Sequence, residues 1–287
     1  MKFSIASPKD KGSISKLWMS CFDCSEEYFE IFYTKCAVNS RTYIAIEDDL
    51  IVSCATVISS NFISDTLSKG GYLYGVCTLP EYRGKGYAKG VVEFAYQESL
   101  KWGLDYMVTR PANGSLFKFY RDLGFSQTLY RNKITLPLPS STEKIQYKGL
   151  KYDNIVPIRK QFLQRNYFAW NPQYYGYILC YLERFNGVAL EFQNSRYLIG
   201  HPDFSEKNTF NILELGHPMS KMLRYPTLYY AENIIKELYP ETDKINLYLP
   251  PMAQYNDIPE GEIKEFALVR SEKLIFNKDS FFNFSAE

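Results

Sequence analysis

Residues 70–89 read GGYLYGVCTLPEYRGKGYAK and place a strand, a glycine-rich loop and a helix in immediate succession. The aromatic, β-branched and apolar run Tyr72–Leu79 predicts a buried strand, which Pro80 ends because proline cannot donate a hydrogen bond to a sheet. Apolar residues then recur at helical spacing as far as Gly103, a C-terminal cap. The loop Arg83–Ala88 therefore precedes a helix N-terminus, where its glycines let backbone N–H groups converge on an anion of pyrophosphate size.

Two common phosphate-binding motifs do not fit this loop. A Walker loop needs Ser or Thr after its lysine, but Lys85 is followed by Gly86. A dinucleotide fingerprint needs glycine or alanine where this chain has Lys89, and no acidic residue stands at the usual distance beyond it. The loop therefore either follows a third pattern or is an ordinary glycine-rich turn.

Two stretches of the sequence resemble the GNAT superfamily of N-acetyltransferases. Arg83, Gly86 and Ala88 match the Arg-x-x-Gly-x-Ala pattern of the family's acetyl-CoA pyrophosphate loop. Residues 113–125, NGSLFKFYRDLGF, match the family's last core helix except at Leu116, where the family usually has alanine. The two stretches occur in the family's order, and the resemblance covers roughly residues 1–136.

The resemblance implies an enzyme that transfers an acetyl group from acetyl-CoA to a primary amine by direct attack and needs no metal. It implies that the backbone of Val76, Cys77 and Thr78 contacts the pantetheine and thioester, and that Asn113 contacts the cofactor arm. Tyr120 is implied to protonate the departing thiolate, a role that suits a phenol with a pKa near ~10. The implied pyrophosphate-binding residues are Arg83, Gly84, Lys85, Gly86, Tyr87 and Ala88.

Neither the base nor the acceptor is evident from the sequence. Some GNAT relatives carry a glutamate on the central strand, but residues 74–78 here include no carboxylate. Glu81 could act through water, although a solvated loop residue is the simpler interpretation. The acceptor, a small-molecule or peptide amine, is expected to bind among aromatic residues that are otherwise core residues: Trp18, Phe22, Tyr28 and Phe32.

Composition and charge restrict the possible function classes. A length of 287 residues predicts about two domains, and a hydrophobic content of 46% predicts a globular protein. The 33 basic and 32 acidic residues leave a net charge of +1, so neither a nucleic-acid nor a membrane partner is expected. We identify no signal peptide and no apolar run near ~20 residues, which predicts a cytoplasmic protein. The oligomeric state is not predicted.

The six cysteines are scattered among periodic segments rather than spaced as a disulfide framework. Cys21 and Cys24 form a C-x-x-C pair, but zinc binding needs a second ligand pair, and thioredoxin-like chemistry needs a preceding strand of a βαβ unit. Packing is therefore the preferred interpretation. With only His201 and His217 available, the sequence predicts neither a metal site nor a histidine-based triad.

The second half of the sequence repeats the predicted order of the first. Before the glycine-rich loop, the order is a strand, two helices and three strands, which is also the N-terminal layout of the GNAT family. Residues 59–69 are predicted to be a polar loop that leads to the third of these strands. After a linker at Leu136–Ser141, we predict a helix at 154–168, three strands between 188 and 215, a helix at 227–239, and strands at 245–249 and 263–276. This order predicts a diverged second copy of the fold, and a plain α+β partner domain is the alternative.

The predicted fold class is α/β (α+β), with a mixed, mostly antiparallel central sheet flanked by helices in a GNAT-like fold present in tandem. The predicted domains are a GNAT acetyltransferase domain at 1–138, a linker at 139–149, and a second GNAT-like domain at 150–287. Residues 215–226, LGHPMSKMLRYP, stand where the first copy has its loop, and their two prolines offer no N–H groups. The second domain is therefore expected to lack a cofactor site and to cover one side of the acceptor cleft.

Two other function classes remain open. The chain could be a non-catalytic acyl-CoA-binding or regulatory module, which the missing strand carboxylate favours. It could also be a tandem-fold aminoacyl or peptidyl transferase that uses a charged RNA. That class does not need the Arg83–Ala88 loop and would benefit from a basic groove, which the neutral charge balance does not favour.

Overall fold

The computed structural model describes residues 1–140, 143–163, 165–217, 223–251 and 255–283. The first half forms six strands and four helices: β1 (Lys2–Ile5), α1 (Lys11–Cys21), α2 (Glu26–Cys36), β2 (Ser40–Glu47), β3 (Leu50–Ile63), β4 (Leu67–Thr78), α3 (Tyr87–Lys101), β5 (Tyr106–Thr109), α4 (Gly114–Arg121) and β6 (Gln127–Pro137). The remaining elements are β7 (Tyr147–Gly149), α5 (Tyr152–Leu163), β8 (Tyr167–Trp170), α6 (Pro172–Arg184), β9 (Val188–Phe192), β10 (Arg196–Pro202), β11 (Thr209–Leu215), α7 (Tyr229–Leu238), β12 (Lys244–Leu249) and β13 (Glu262–Arg270).

Side-chain caps fix the start of three helices near the site. The Ser25 hydroxyl accepts a hydrogen bond from the N–H of Tyr28 at α2, and Asn113 accepts from Leu116 at α4. Asn171 does the same at α6, where Pro172 occupies the first helical position. Each cap satisfies an N–H group that the helix itself cannot pair, so these residues set where the helices begin.

The strands form one continuous sheet in the order β1-β2-β3-β4-β5-β13-β6-β12-β11-β10-β9-β7, and β8 pairs with the far end of β3. Within the described residues, the parallel neighbours are β4 with β5 and β11 with β12. Helices α1 and α2 cover one face of the first half and α3 covers the other. The predicted fold class, a mixed and mostly antiparallel sheet flanked by helices, is confirmed.

A similar order of elements occurs twice along the chain, although β8 stands between the two helices α5 and α6 of the second half. In the first half, β4 pairs in parallel with β5 after the crossover helix α3, over Gly70–Leu73 and Tyr106–Thr109. In the second half, β11 pairs in parallel with β12 after α7, over Thr209–Ile212 and Lys244–Leu247. Each parallel pair follows an antiparallel run of strands, which supports the prediction that the second half is a copy of the first.

Strand β13 lies in the sheet of the first half, between β5 and β6. Its residues Ala267, Leu268 and Val269 are fully buried. Arg270 follows them and forms two hydrogen bonds, of 2.6 and 3.0 Å, to the carboxylate of Glu93 on α3. The predicted division into two domains, with a linker at 139–149, stays a prediction. However, β7 lies within the predicted linker. Strand β13 belongs to the predicted second domain but pairs with β5 and β6 of the predicted first domain.

Three local predictions are wrong. Residues 59–69 were predicted to be a polar loop, yet β3 runs to Ile63 and β4 begins at Leu67, because β8 pairs with this end of β3 and buries it. The helix predicted at 154–168 ends at Leu163, and the aromatic segment Tyr167–Trp170 forms β8. Helix α6 was not predicted at all, although Asn171-Pro172 is a helix-start signal and apolar residues follow at helical spacing.

Within the described residues, no helix is both long enough and apolar enough to span a lipid bilayer.

Candidate active site

The centre of the site is a bulge in β4. Between Cys54–Cys77 and Thr56–Tyr74, β3 advances two residues while β4 advances three, so β4 carries one extra residue. Gly75 takes up the bulge with a φ of 61°. A Cβ atom at this position would lie 2.3 Å from the indole ring of Trp18, so only glycine fits both the backbone angle and the space. The bulge frees backbone polar groups of β4 from the ladder.

A gap opens between β4 and β5 next to this bulge. Their parallel pairing ends at Leu73 and Thr109, where the Thr109 hydroxyl donates a 3.2 Å hydrogen bond to the Leu73 carbonyl oxygen. Beyond this point β4 continues to Thr78 while β5 has ended. Unpaired backbone groups of β4 in the gap can bind an extended amide-containing ligand. The predicted cofactor contacts Val76, Cys77 and Thr78 all lie on this part of β4.

The loop that follows β4 has the features of an anion-binding loop. Gly84 and Gly86 have φ values of 74° and 87°, and open space surrounds both. None of the backbone hydrogen bonds of residues 1–140 uses the N–H groups of Gly84, Lys85 or Gly86. Arg83 anchors the loop because its Nε donates a 3.1 Å hydrogen bond to the Thr78 carbonyl oxygen. With α3 starting at Tyr87, these N–H groups and the helix dipole fit a pyrophosphate.

On the other side of the gap, α4 carries the two remaining predicted residues. The Asn113 carboxamide oxygen accepts hydrogen bonds from the N–H of Leu116, at 3.2 Å, and from the Ser115 hydroxyl, at 2.7 Å. Asn113 therefore starts α4, and its contact with a cofactor stays a prediction. Tyr120 lines the cleft with only 6% of its surface exposed. Burial raises the pKa of Tyr120 to about 12, and a hydrogen bond to Thr109 opposes part of that rise.

The gap opens into a cleft of about 540 Å³ whose walls come from both halves of the chain. Of the aromatic residues predicted for the acceptor pocket, Trp18, Phe22 and Tyr28 line it. Phe32 lies behind Trp18, with the ring centroids 4.6 Å apart, and is a core residue instead. The lining residues that the sequence analysis did not assign to the cleft are Cys21, Asp23, Cys24, Tyr72, Leu73, Tyr74, Gly75, Thr109, Arg110, Ala112, Leu116, Tyr181, Arg184 and Phe185.

Three tyrosine hydroxyl groups connect β4, α2 and α6 at one side of the cleft. The Tyr177 hydroxyl lies 2.9 Å from that of Tyr74 and also hydrogen-bonds to that of Tyr28. Burial raises the pKa of all three phenols, so none of them is a base near neutral pH. Tyr74 lies on β4, and its hydroxyl connects this strand of the first half to α6 of the second half.

The charged residues that line the cleft are Asp23, Arg110 and Arg184. The Arg184 guanidinium lies 5.1 Å from the centroid of the Tyr28 ring and 3.4 Å from the Ser25 hydroxyl, so it is held at the wall. The Arg110 guanidinium lies 5.0 Å from the centroid of the Phe266 ring on β13. Glu81 is not part of the cleft lining. The cleft therefore carries an excess of positive charge.

The corresponding gap of the second half is filled. The pocket that the described residues form beside the ends of β11 and β12 has a volume of only about 70 Å³. Glu214 at this gap is fully buried and forms two hydrogen bonds, of 2.8 and 3.0 Å, to Arg159 of α5. A Cβ atom on Gly216 would lie 2.1 Å from the ring of Tyr197, so that glycine is packed rather than open. Residues 218–222 of the predicted loop replacement lie outside the described residues.

The bulge gives a direct test of the site. Gly75→Ala should lower both turnover and the free energy of unfolding, because alanine must adopt the left-handed region, at a cost of ~1–2 kcal/mol, and must displace Trp18. Gly103→Ala is the matched control, since Gly103 has a φ of 85° and open space around it. Equal activity of the two variants, measured alongside denaturant unfolding, would show that the bulge has no part in the site.

Comparison with known proteins agrees with this geometry. Residues 3–128 match the family model of the acetyltransferase (GNAT) domain. A search of curated proteins found no match for the sequence.

Solved structures match the chain over almost its whole length. A protein from Enterococcus faecalis V583, described as a probable N-acyltransferase, has a TM-score of 0.69 at 14% identity, covering 94% of this chain and 72% of that chain. A GCN5-related N-acetyltransferase from Anabaena variabilis has a TM-score of 0.68 at 15% identity, with 94% and 72% covered. Eis1 from Mycobacterium abscessus has a TM-score of 0.65 at 12% identity, with 94% and 74% covered. At these identities the likeness concerns the fold.

The family match covers the bulge, the anion-binding loop and Tyr120, which are the parts from which the site is built. Residues 3–128 therefore match the acetyltransferase (GNAT) domain model over the part of the chain that contains the site.

Proposed function

We propose that this protein transfers an acetyl group from acetyl-CoA to a primary amine by direct attack of the amine on the thioester. The arrangement of the β4–β5 gap is the observation that carries the proposal. An anion-binding loop lies at one end of the gap, and Tyr120 and an aromatic cleft lie at the other. A single extended ligand with a phosphate end and a reactive end fits that arrangement.

The residues present fit acetyl-CoA as the donor. The N–H groups of Gly84, Lys85 and Gly86, with the start of α3, would bind the pyrophosphate, and Arg83, Tyr87 and Ala88 complete that loop. The backbone of Val76–Thr78, on the side toward the gap beyond β5, would pair with the amides of the pantetheine arm. This placement brings the thioester to the bulge, where free N–H groups can stabilise the oxyanion that forms as the amine attacks.

Tyr120 would then donate a proton to the departing thiolate. Its pKa of about 12 keeps the phenol protonated at any ordinary assay pH. This value lies above the ~8.5 of an ordinary thiol, so complete transfer to the sulfur is uphill and the phenol acts mainly as a hydrogen-bond donor while the C–S bond breaks. Burial thus lowers the acidity of Tyr120 but guarantees that the proton is present.

The charges in the cleft favour an acceptor that carries an anionic group near its amine. Arg110 and Arg184 line the cleft together with one carboxylate, Asp23, and with several aromatic rings. Guanidinium groups bind carboxylate and phosphate through charge-assisted hydrogen bonds, whereas they repel a polycation. An amino acid or a short peptide with an apolar side chain fits these walls better than a polyamine or an aminoglycoside does.

The second half of the chain would shape the acceptor site without binding a donor of its own. Tyr181, Arg184 and Phe185 of the α6 region reach the cleft, while the second β-strand gap is closed by the Arg159–Glu214 pair. We therefore expect acetyl-CoA to bind at one site per chain. Calorimetry that gave two equivalent sites per chain would contradict this assignment.

The experiment that tests the function measures release of free CoA from acetyl-CoA with matched pairs of amines. Each pair contrasts an aromatic amino acid with its decarboxylated amine, for example phenylalanine with phenethylamine, and spermidine represents the polycations. We expect turnover with amines, and faster turnover with the member of each pair that keeps its carboxylate. Arg184→Gln should reduce that preference, and Arg165→Gln, which changes an exposed arginine outside the cleft, should not.

The possible outcomes separate the parts of the proposal. Turnover with spermidine alone would contradict the anionic acceptor but keep the acetyl transfer. Acetyl-CoA binding without release of CoA across the amine panel would contradict the catalytic proposal and favour a non-catalytic acyl-CoA-binding module.

A further inference from the structure

A row of aromatic rings leads from the cleft to the loop between β10 and β11. Tyr181 of α6 and Phe185, which follows that helix, both line the cleft, and their ring centroids are 4.6 Å apart. Phe204 lies in the β10–β11 loop, with its ring centroid 4.8 Å from that of Phe185. Phe204 itself is outside the cleft lining, so the row continues the aromatic wall beyond the cleft.

Phe204 is exposed although its ring is fixed in place. The ring stacks on that of His201, with the centroids 4.8 Å apart and an interplanar angle of 7°. His201 is buried, and its Nδ1 atom lies 2.7 Å from the Pro202 carbonyl oxygen. Phe204 nevertheless leaves 56% of its surface exposed. Because this apolar surface continues the wall of a cleft instead of standing alone, it has the features of a contact site.

The backbone of the loop around Phe204 is held by Asp203. One oxygen of the Asp203 carboxylate accepts hydrogen bonds from the N–H groups of Ser205 and Glu206, at 2.8 and 2.9 Å. The other oxygen accepts a 2.9 Å hydrogen bond from the Asn211 side chain on β11. These contacts close a turn at Phe204. A ligand that packs on this ring therefore removes little conformational entropy from the protein.

We propose that Phe185 and Phe204 form a subsite for the second side chain of a peptide acceptor. This subsite rests on the proposed function, because the N-terminal amine of that peptide would be the group that is acetylated. Two residues of an extended peptide advance ~7 Å. That advance is comparable with the row of rings, which runs in steps of 4.6 and 4.8 Å from Tyr181 to Phe204. A first side chain beside Tyr181 would therefore leave the second beside Phe204.

The charges beside the rings fit a short peptide with a free carboxylate. Arg184 lines the cleft and directly precedes Phe185, so a guanidinium group stands next to the ring platform. Glu206, in the same loop as Phe204, forms an ion pair with Lys244. The C-terminal carboxylate of a dipeptide lies next to its second side chain and can pair with Arg184. A dipeptide with an apolar second residue thus matches both the rings and the charge.

The test compares two dipeptides that differ only in the second side chain, phenylalanyl-phenylalanine and phenylalanyl-glycine. Both carry the same amine, the same first side chain and a C-terminal carboxylate. Calorimetric titration of each dipeptide into the full-length protein in the presence of CoA measures binding without any turnover. We expect phenylalanyl-phenylalanine to bind ~10-fold more tightly, because its second ring packs on Phe204 and covers apolar surface.

Two variants assign this preference to the subsite. Phe204→Ala should remove most of the ~10-fold difference and leave the affinity for phenylalanyl-glycine unchanged, because that dipeptide has no second side chain to place on the ring. Tyr152→Ala is the control, since Tyr152 is an exposed aromatic residue of α5 outside the cleft lining. This variant should keep the full preference.

The outcomes distinguish the subsite from the proposed function. Equal affinities for the two dipeptides, or no binding of either, would overturn the subsite. A preference for phenylalanyl-phenylalanine that Phe204→Ala removes, without release of CoA from acetyl-CoA, would support the subsite and contradict acetyl transfer. If Phe204→Ala kept the preference but changed the sedimentation coefficient, the ring would belong to a contact between copies of the chain and not to an acceptor site.

Discussion

Replacing Gly86 with glutamate is expected to abolish acetyl-CoA binding while the protein stays folded. Gly86 precedes the first turn of α3 with a φ of 87°, and open space surrounds it on the side where the pyrophosphate would lie. A carboxylate placed ~4 Å from a phosphate charge costs ~4 kcal/mol at the effective dielectric constant of a protein surface, which is a loss of roughly three orders of magnitude in affinity. Calorimetric titration with acetyl-CoA measures this loss.

The matched control is Gly103→Glu at the other end of α3. Gly103 has a φ of 85° and open space around it, so this variant introduces the same strain and the same charge away from the loop. It should bind acetyl-CoA with unchanged affinity. If a folded Gly86→Glu protein also bound acetyl-CoA as the unaltered protein does, the loop would not be the donor site.

Tyr120→Phe should reduce turnover by ~10²–10⁴-fold and leave acetyl-CoA affinity unchanged, because only the proton donor is lost.

The pKa of Tyr120 also predicts how activity and stability depend on pH. Because the folded-state pKa is about 12, deprotonation of this phenol should cause no fall in rate below about pH 11. Because that pKa is raised above the ordinary value of 10.0, the folded state holds its proton longer than the unfolded state does. The contribution of Tyr120 to the free energy of unfolding therefore declines as the pH rises from about 10 to 12.

Tyr43→Phe is the control for this measurement. Tyr43 is buried in the same hydrophobic cluster as Tyr120 but does not line the cleft. Steady-state kinetics with an identified acceptor should show normal turnover for Tyr43→Phe. A Tyr120→Phe protein with the same turnover would mean that Tyr120 is a packing residue and that water protonates the thiolate.

The local signals of the sequence correctly predicted the strand, loop and helix of the segment around Arg83–Ala88. The order of strand, proline, glycine loop and helix places Arg83–Ala88 at the start of α3, because each element follows from a few adjacent residues. Trp18, Phe22 and Tyr28 were also placed correctly in the cleft, since the helical periodicity of α1 and α2 puts them on the face toward β4. A glycine within the strand was a signal for the bulge at Gly75 that the sequence analysis did not use.

The features that were missed depend on residues distant in sequence. Cys21 was interpreted together with its neighbour Cys24, but its thiol donates a hydrogen bond to the Thr78 carbonyl oxygen, which only the folded chain brings to α1. Arg184 reaches the cleft because Tyr177 on the same helix hydrogen-bonds to Tyr28 and Tyr74. No spacing rule connects such positions, so the acceptor side of the site required the structure.

The position of β13 also affects how the protein can fold while it is being made. Its partners on β5 precede it by roughly 160 residues, and a ribosome adds ~5–20 residues per second. The facing edges of β5 and β6 therefore wait about 8–30 s for the strand that pairs with both. During that time the nascent chain presents unpaired strand edges, which are prone to intermolecular pairing. Chaperones that bind the nascent chain should accordingly favour a high yield of this protein, because its donor-binding half cannot complete its sheet until nearly the whole chain has emerged.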